Sequence, residues 1–192
     1  MPRAGLSPES ITEAGAKLAD ELGLSQLSMM TLAERLGVKA PSLYKHVGGL
    51  ADLSHRIAIL ATAEVGELLG RAIEGRSGKD ALSCAAHALR AFVLKCPGRY
   101  AAMNEALSAG PDDPLEPARE RALRSLAAAL RGYRLHPADE IHALRMIRSS
   151  LHGFATLESS GGFQLGTDVD TSFSRMIDFI DRGLRLSSTQ SD

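Results

Sequence analysis

Apolar residues recur three and four positions apart along most of the chain, the spacing that gives a helix one buried face. Ile11, Ala14, Leu18 and Leu22 make the first such run. Ser7 stands as its N-cap, Pro8 at its first position, and Leu6 meets Ile11 as a hydrophobic staple, while Gly23 ends the helix. A shorter run obeys the same rules. Leu27 and Leu32 sit at N′ and N4 around an N-cap at Ser28, and Leu32, Ala33 and Leu36 form its buried face. Ala33 is small enough for a second helix to cross closely. Gly37 fits the left-handed residue of a tight turn, and Pro41 opens a second helix, about Ala40 to Val47, with Leu43 and Val47 facing inward. Gly48-Gly49 breaks the chain before a long helix predicted from about Leu50 to Ile73, which Gly75 closes.

Beyond Gly78 the period stays helical, with segments predicted at Asp80–Lys95, Tyr100–Leu107, Glu116–Arg131, Pro137–Ser159 and Ser172–Leu186. Pro97-Gly98, the stretch Gly110 to Pro114, and Gly161-Gly162 punctuate them, and the SSTQSD tail is expected to be disordered. No strand alternation persists and no repeat is present. The fold class is therefore all-α. An N-terminal three-helix, helix-turn-helix bundle (1–53) is joined by the long helix to a second helical domain (54–187), with a tail of 188–192.

The last helix carries a wide apolar stripe of Phe173, Met176, Ile177, Ile180 and Leu184, extended to one side by Phe179 and Leu186. The helix before it offers Ile141, Leu144, Leu151 and Ala155. Two such helices meeting their symmetry mates would make a four-helix dimer interface through Ile141, Leu144, Leu151, Ala155, Phe173, Ile177, Ile180 and Leu184. Both helices packing on their own subunit is the alternative.

Composition narrows the class further. The chain has 192 residues, a formal net charge of −1, few aromatics and no tryptophan. No apolar run approaches a membrane span, and the first ten residues hold no apolar signal core, so a cytoplasmic protein without a membrane partner is expected. Cys84 and Cys96 fall on internal apolar positions and read as free thiols. A DNA-binding protein need not be basic overall, but it needs a local positive face. Between Glu34 and Asp52 the charged residues are Arg35, Lys39 and Lys45, with His46 as a further donor. The sign is right and the supply is small, so affinity would lean on dimerisation.

The second helix of the pair leaves Lys39, Ala40, Ser42, Tyr44, Lys45 and His46 outward, on a rod narrow enough for a DNA major groove. The pattern Leu32-Ala33-x-x-Leu36-Gly37-Val38 followed by Pro41-Ser42-Leu43-Tyr44-x-His46-Val47 resembles the helix-turn-helix of the tetracycline-repressor (TetR) family over Leu6 to roughly Leu60. Ser150-Leu151-His152-Gly153-Phe154 and Leu157-Glu158 resemble a tryptophan-His-Gly subgroup of its ligand domains, with Leu151 in place of the tryptophan. The resemblance implies a homodimeric, all-helical repressor released from a double-stranded DNA operator by a small-molecule effector. It implies that Ala40, Ser42 and Lys45, flanked by Lys39 and Pro41, meet base edges. Tyr44 and His46 would bond phosphates, with Ser28 and Thr31 as further phosphate candidates. The chain departs from many relatives in having Gly48-Gly49-Leu50 where they carry a lysine after the reading helix, and Met30 where some carry a basic residue.

By the same resemblance, Arg99, Tyr100, Met103 and Asn104 stand where the family lines its ligand pocket, and His87, His142 and Met146 are candidate wall residues. Cys84, His87 and Cys96, and the group His136, Asp139, Glu140 and His142, lack a recognised metal-ligand spacing with a fourth group. Neither a glycine-rich phosphate loop, nor a nucleophile elbow, nor a matched carboxylate pair is present, so no cofactor, metal or enzymatic activity is expected. The reading is a ligand-responsive repressor. The alternatives are a helical small-molecule-binding protein with little DNA affinity, and an activator of the same fold.

Overall fold

The structure, a computed structural model, describes residues 5–189. The described residues are helical, without a strand: α1 (Pro8–Leu22), α2 (Met29–Leu36), α3 (Ala40–Leu43), α4 (Leu50–Ile73), α5 (Gly78–Lys95), α6 (Pro97–Glu105), α7 (Leu115–Leu130), α8 (Pro137–Ser159) and α9 (Val169–Thr189). Short 3-10 turns follow α1 and α7. The all-α class is as the periodicity predicts.

Helix ends depart from the sequence expectation where side-chain caps intervene. Asp168 accepts the Thr171 N–H at 2.8 Å and the Thr171 hydroxyl at 2.6 Å, so α9 starts earlier than Ser172. At its other end α9 runs on to Thr189, so the first residues of the expected disordered tail are helical. The last three residues lie outside those described. Pro97 opens α6 ahead of the expected Tyr100, and the helix ends at Glu105, where Ala106 turns to extended backbone, short of Leu107.

Packing divides the chain into two compact units: the residues up to Ala63 with Lys95–Ala118, and Glu64–Leu94 with the residues from Arg119 onward. The first unit has its core in Ile11, Leu18, Leu27, Leu32, Leu43, Val47, Leu53 and Ile57, with Ala102 of α6 among them. The compact unit that holds the helix-turn-helix thus also takes in α6. Gly98 explains why α6 belongs to it. A Cβ there would lie 2.2 Å from the Ala19 carbonyl carbon and oxygen, so α6 crosses α1 backbone to backbone. Asp20 of α1 then accepts the Arg99 N–H at 2.9 Å and its Nε–H at 2.7 Å.

In the second unit a similar close approach sets α7 against α4. A Cβ on Gly66 would meet the Ala122 backbone at 3.3 Å, and Ser125 Oγ donates to the Gly66 carbonyl at 3.1 Å. Here the residues of the expected dimer stripe divide into buried and outward ones. Phe173, Ile177, Ile180 and Leu184 of α9, and Leu151 and Ala155 of α8, are buried within the chain's own fold, and Leu144 is half-buried. The reason is that this face of α9 lies on its own unit. Phe173 meets Phe154 of α8 and His87 of α5, and Tyr133 donates to the buried Asp181 at 2.7 Å. What remains outward is Ile141 on α8 and Phe179 and Leu186 on α9, with Phe179 71% exposed.

Candidate nucleic-acid interface

One reciprocal cap opens the helix-turn-helix. Ser28 Oγ accepts the Thr31 N–H at 3.1 Å, while Thr31 Oγ1 accepts the Ser28 N–H at 3.0 Å. Thr31 Oγ1 also donates to the Ser28 carbonyl at 3.0 Å. Both hydroxyls take part in the cap and so fix the start of α2. Gly37 takes φ 65° and ψ 34°, and its N–H reaches back to the Ala33 and Glu34 carbonyls. The left-handed conformation costs glycine nothing sterically, and it turns the chain into α3.

Pro41 sits in the first turn of α3. Regular helix ends at Leu43, and the sequence expectation of one helix to Val47 becomes a helix followed by a tightened turn. The His46 N–H donates to the Leu43 carbonyl at 2.9 Å and the Val47 N–H to the same oxygen at 3.1 Å. That turn keeps Leu43 and Val47 buried against Leu32 and Ala33. Lys39, Pro41, Tyr44 and Lys45 are left exposed, Tyr44 at 57%, while Ala40, Ser42 and His46 are half-buried. All seven stand within one short segment, and their backbone is fixed by the core beneath it.

The far end of the segment is tied to α4. Asp52 Oδ2 accepts the Gly48 N–H at 2.8 Å, and the Arg56 Nε–H bonds both carboxylate oxygens at 3.1 and 3.0 Å. Partial burial pushes the Asp52 carboxyl upward, but the Gly48 N–H and Arg56 outweigh it and hold it below the ordinary range. Gly49 follows at φ 111°, a conformation open to glycine, close beside the Tyr44 ring. Sequence reasoning treated Gly48-Gly49 as a break and missed Asp52. The signal was its i,i+4 spacing from Arg56 just after a glycine pair.

Charge on this surface is sparse. Arg35 gives both guanidinium nitrogens to Glu21, at 3.0 and 2.6 Å. That bidentate pair neutralises one of the three basic residues counted in the sequence. Lys39 and Lys45 have no ion-pair partner among the described residues. They are the free positive charges of the reading segment.

The seven expected ligand-pocket residues fall in both compact units. Arg99, Tyr100, Met103 and Asn104 lie in the first unit, and His87, His142 and Met146 in the second. Arg99 is held by Asp20, Tyr100 is buried, and Asn104 Nδ2 donates to the Tyr100 carbonyl at 2.7 Å. None of the seven is among the lining residues of two cavities, one in each unit. One, of about 470 Å³, lies in the first unit among Leu24, Leu27, Leu50, His55, Ala102 and Ala106. The other, of about 300 Å³, lies in the second unit under the α8–α9 loop, walled by Phe154 and Phe163. No cluster of metal-ligating side chains occurs among the described residues.

Fold and reading segment together define a helix-turn-helix transcriptional regulator. Residues 82–180 match the family described as tetracyclin repressor-like, C-terminal domain. The chain is 35% identical over 187 residues to the HTH-type transcriptional regulator Rv0681 of Mycobacterium tuberculosis, covering 97% of this chain and 85% of that one. It is 30% identical over 189 residues to the HTH-type transcriptional regulator YobS of Bacillus subtilis, covering 97% of each. Among solved structures, a TetR variant from Acinetobacter baumannii AYE in complex with minocycline shares the fold. That structure has a TM-score of 0.68 and 23% identity, with 96% of this chain and 99% of that one covered. The chain belongs to the tetracycline-repressor-like family of transcriptional regulators.

Proposed function

We propose that this protein is a homodimeric repressor that reads a palindromic DNA operator and is released from it by a small molecule. The observation that carries the reading is the exposed row of Lys39, Tyr44 and Lys45 on a segment anchored from beneath by buried Leu43 and Val47. Lys45, Ala40 and Ser42 face base edges in this reading, and Lys39, Tyr44 and His46 the phosphates. Two free lysines per subunit give little charge attraction to DNA, so a second copy is needed to reach useful affinity. Ile141, Phe179 and Leu186, outward on α8 and α9, supply apolar surface for that pairing. Two readers on one face of a duplex then stand about 34–36 Å apart, one DNA turn.

The helix α4 starts at the reading unit and continues into the second unit, so it is the covalent lever between DNA and effector. An effector that prefers a differently spaced dimer draws both readers out of register. It does so only to the extent of that preference, and DNA weakens effector binding by the same factor. The minocycline complex of the A. baumannii protein supports a ligand-responsive member of this fold. No helix among the described residues is long and apolar enough to cross a membrane, which accords with a regulator working in the cytoplasm.

The test is selection of bound duplexes from a random pool by the purified chain, repeated with Tyr44→Ala/Lys45→Ala. An enriched palindrome with half-sites one turn apart, lost in the double variant while its helicity and dimer persist, supports the reading. No enrichment favours the second reading, a helical small-molecule-binding protein, which the neutralised Arg35 makes the strongest competitor.

A further inference from the structure

Three of the chain's five phenylalanines gather at one place in the second unit, although the sequence is poor in aromatics. Phe154 is the hub. Its ring centroid lies 4.8 Å from that of Phe163 on the α8–α9 loop and 5.0 Å from that of Phe173 on α9. Arg90 of α5 lies against this cluster, 4.7 Å from the Phe173 centroid and 5.8 Å from the Phe154 centroid. The guanidinium donates to Glu158 at 2.6 and 2.5 Å, and Asp170 lies 2.7 Å from it.

The loop over this cluster is an arch fixed at both feet. At one foot Gly161 takes φ 73°, and the Gly162 N–H donates to the Leu157 carbonyl at 2.7 Å. A Cβ on Gly162 would lie 2.9 Å from that same oxygen, so only glycine fits so close. At the other foot Asp168 caps α9. Between the feet the arch stands off Phe154 and leaves a cavity of about 300 Å³ lined by Phe154, Phe163, Leu165, Thr167, Val169 and Ser172, among others. That is the lower end of the range for small-molecule sites. Phe163 stays 38% exposed and Leu165 86%, so apolar side chains that loop chemistry would replace by polar ones are kept at the opening.

We propose that this cavity is a binding site for a small aromatic molecule that carries no negative charge. Ring walls and the absence of a charged side chain in the lining select apolar, flat ligands that stack offset or edge-on. An anion is disfavoured. One guanidinium beside the ring cluster faces two carboxylates, so the surroundings carry an excess negative charge that repels it. A single ring hydroxyl is accommodated, because Gln164 and Thr167 edge the opening. The proposal names the chemical class of the effector and rests, for that role, on the ligand-responsive reading above.

The test uses the full chain without DNA, labelled with fluorophenylalanine so that its five phenylalanines report by ¹⁹F NMR. The probe is 2-naphthol, compared with anionic 2-naphthoate. The site binds 2-naphthol saturably, shifting Phe154 and Phe163 and leaving Phe92 and Phe179 unmoved. The anionic analogue binds at least tenfold more weakly. Phe163→Ala, which removes a wall, and Val169→Phe, which fills the space from α9, each weaken 2-naphthol at least tenfold. Absence of saturable binding, shifts confined to Phe92 or Phe179, equal binding of the anionic analogue, or full affinity in both variants overturns the proposal. Since no DNA is present, that failure stays distinct from a failure of operator binding.

Discussion

Gly98 is the position where one methyl group tests the packing of the reading unit. An alanine Cβ there would sit 2.2 Å from the Ala19 carbonyl and 2.6 Å from the Asp20 nitrogen, all of it backbone that no rotamer change relieves. Carbon atoms settle at roughly 3.5–4 Å, so α6 must move off α1 by about 1 Å or more. The Asp20 carboxylate, which holds the Arg99 N–H at 2.9 Å and its guanidinium at 2.7 Å, is stretched by the same movement. Overpacking of this kind costs about 1–3 kcal/mol. Weakening hydrogen bonds to a charged group adds about 1–2 kcal/mol, and the gain in helix propensity returns about 0.5–1 kcal/mol. Gly98→Ala is therefore expected to destabilise by about 2–4 kcal/mol, read from the urea midpoint at constant slope. Gly153→Ala in α8 is the comparator. A Cβ there meets nothing within 4 Å, so that variant gains stability of about 0.5–1 kcal/mol. Combining Gly98→Ala with Asp20→Asn gives less than the sum of the single effects, because both break the same junction. A Gly98→Ala protein within about 0.5 kcal/mol of the parent would refute the backbone-to-backbone crossing.

Two further outcomes follow from the charges. Lys39→Ala weakens DNA binding by a similar factor across sequences and lowers the slope of log affinity against log salt by about one per subunit, read by fluorescence anisotropy across a salt series. An unchanged slope would remove Lys39 from the phosphate contacts. Asp113 is held down to about 2 by the Ala109 and Leu115 N–H groups first, with His55 Nε2 at 2.9 Å adding to them. A depressed carboxyl contributes stability that is complete above its unfolded pKa of about 3.9 and is lost as pH falls towards the folded value. Asp113→Asn accordingly flattens the acid limb of urea midpoints between about pH 4 and 2, and a limb parallel to the parent's would exclude Asp113 as its source.

The parts of this fold that are legible in the sequence are those decided within four or five residues. Ser7 and Ser28 cap as expected, Pro8 and Pro137 open helices, and Gly37 and Gly75 take positive φ. A cap needs only its own N3 partner, and a left-handed turn only the absence of a Cβ. The reading segment was legible for the same reason. Its inward Leu43 and Val47 and outward Lys39, Tyr44 and Lys45 follow from one short helical period.

What sequence did not carry are contacts whose two halves lie far apart along the chain. Asp20 and Arg99 are 79 residues apart, Arg90 and Glu158 68, and nothing local to either partner marks the other. The wide stripe on α9 shows how this misleads. Width alone cannot say which part of a stripe faces its own core and which faces a partner. Here Phe173, Ile177, Ile180 and Leu184 turn to the core because α5 and α8 bring His87 and Phe154 to meet Phe173, leaving Phe179 and Leu186 outside. The apolar surface that the stripe leaves for any partner is therefore Phe179 and Leu186. The same reasoning applies to aromatic content. A low aromatic count is an average over the chain, and it hides the local cluster in which Phe163 and Phe173 both meet Phe154.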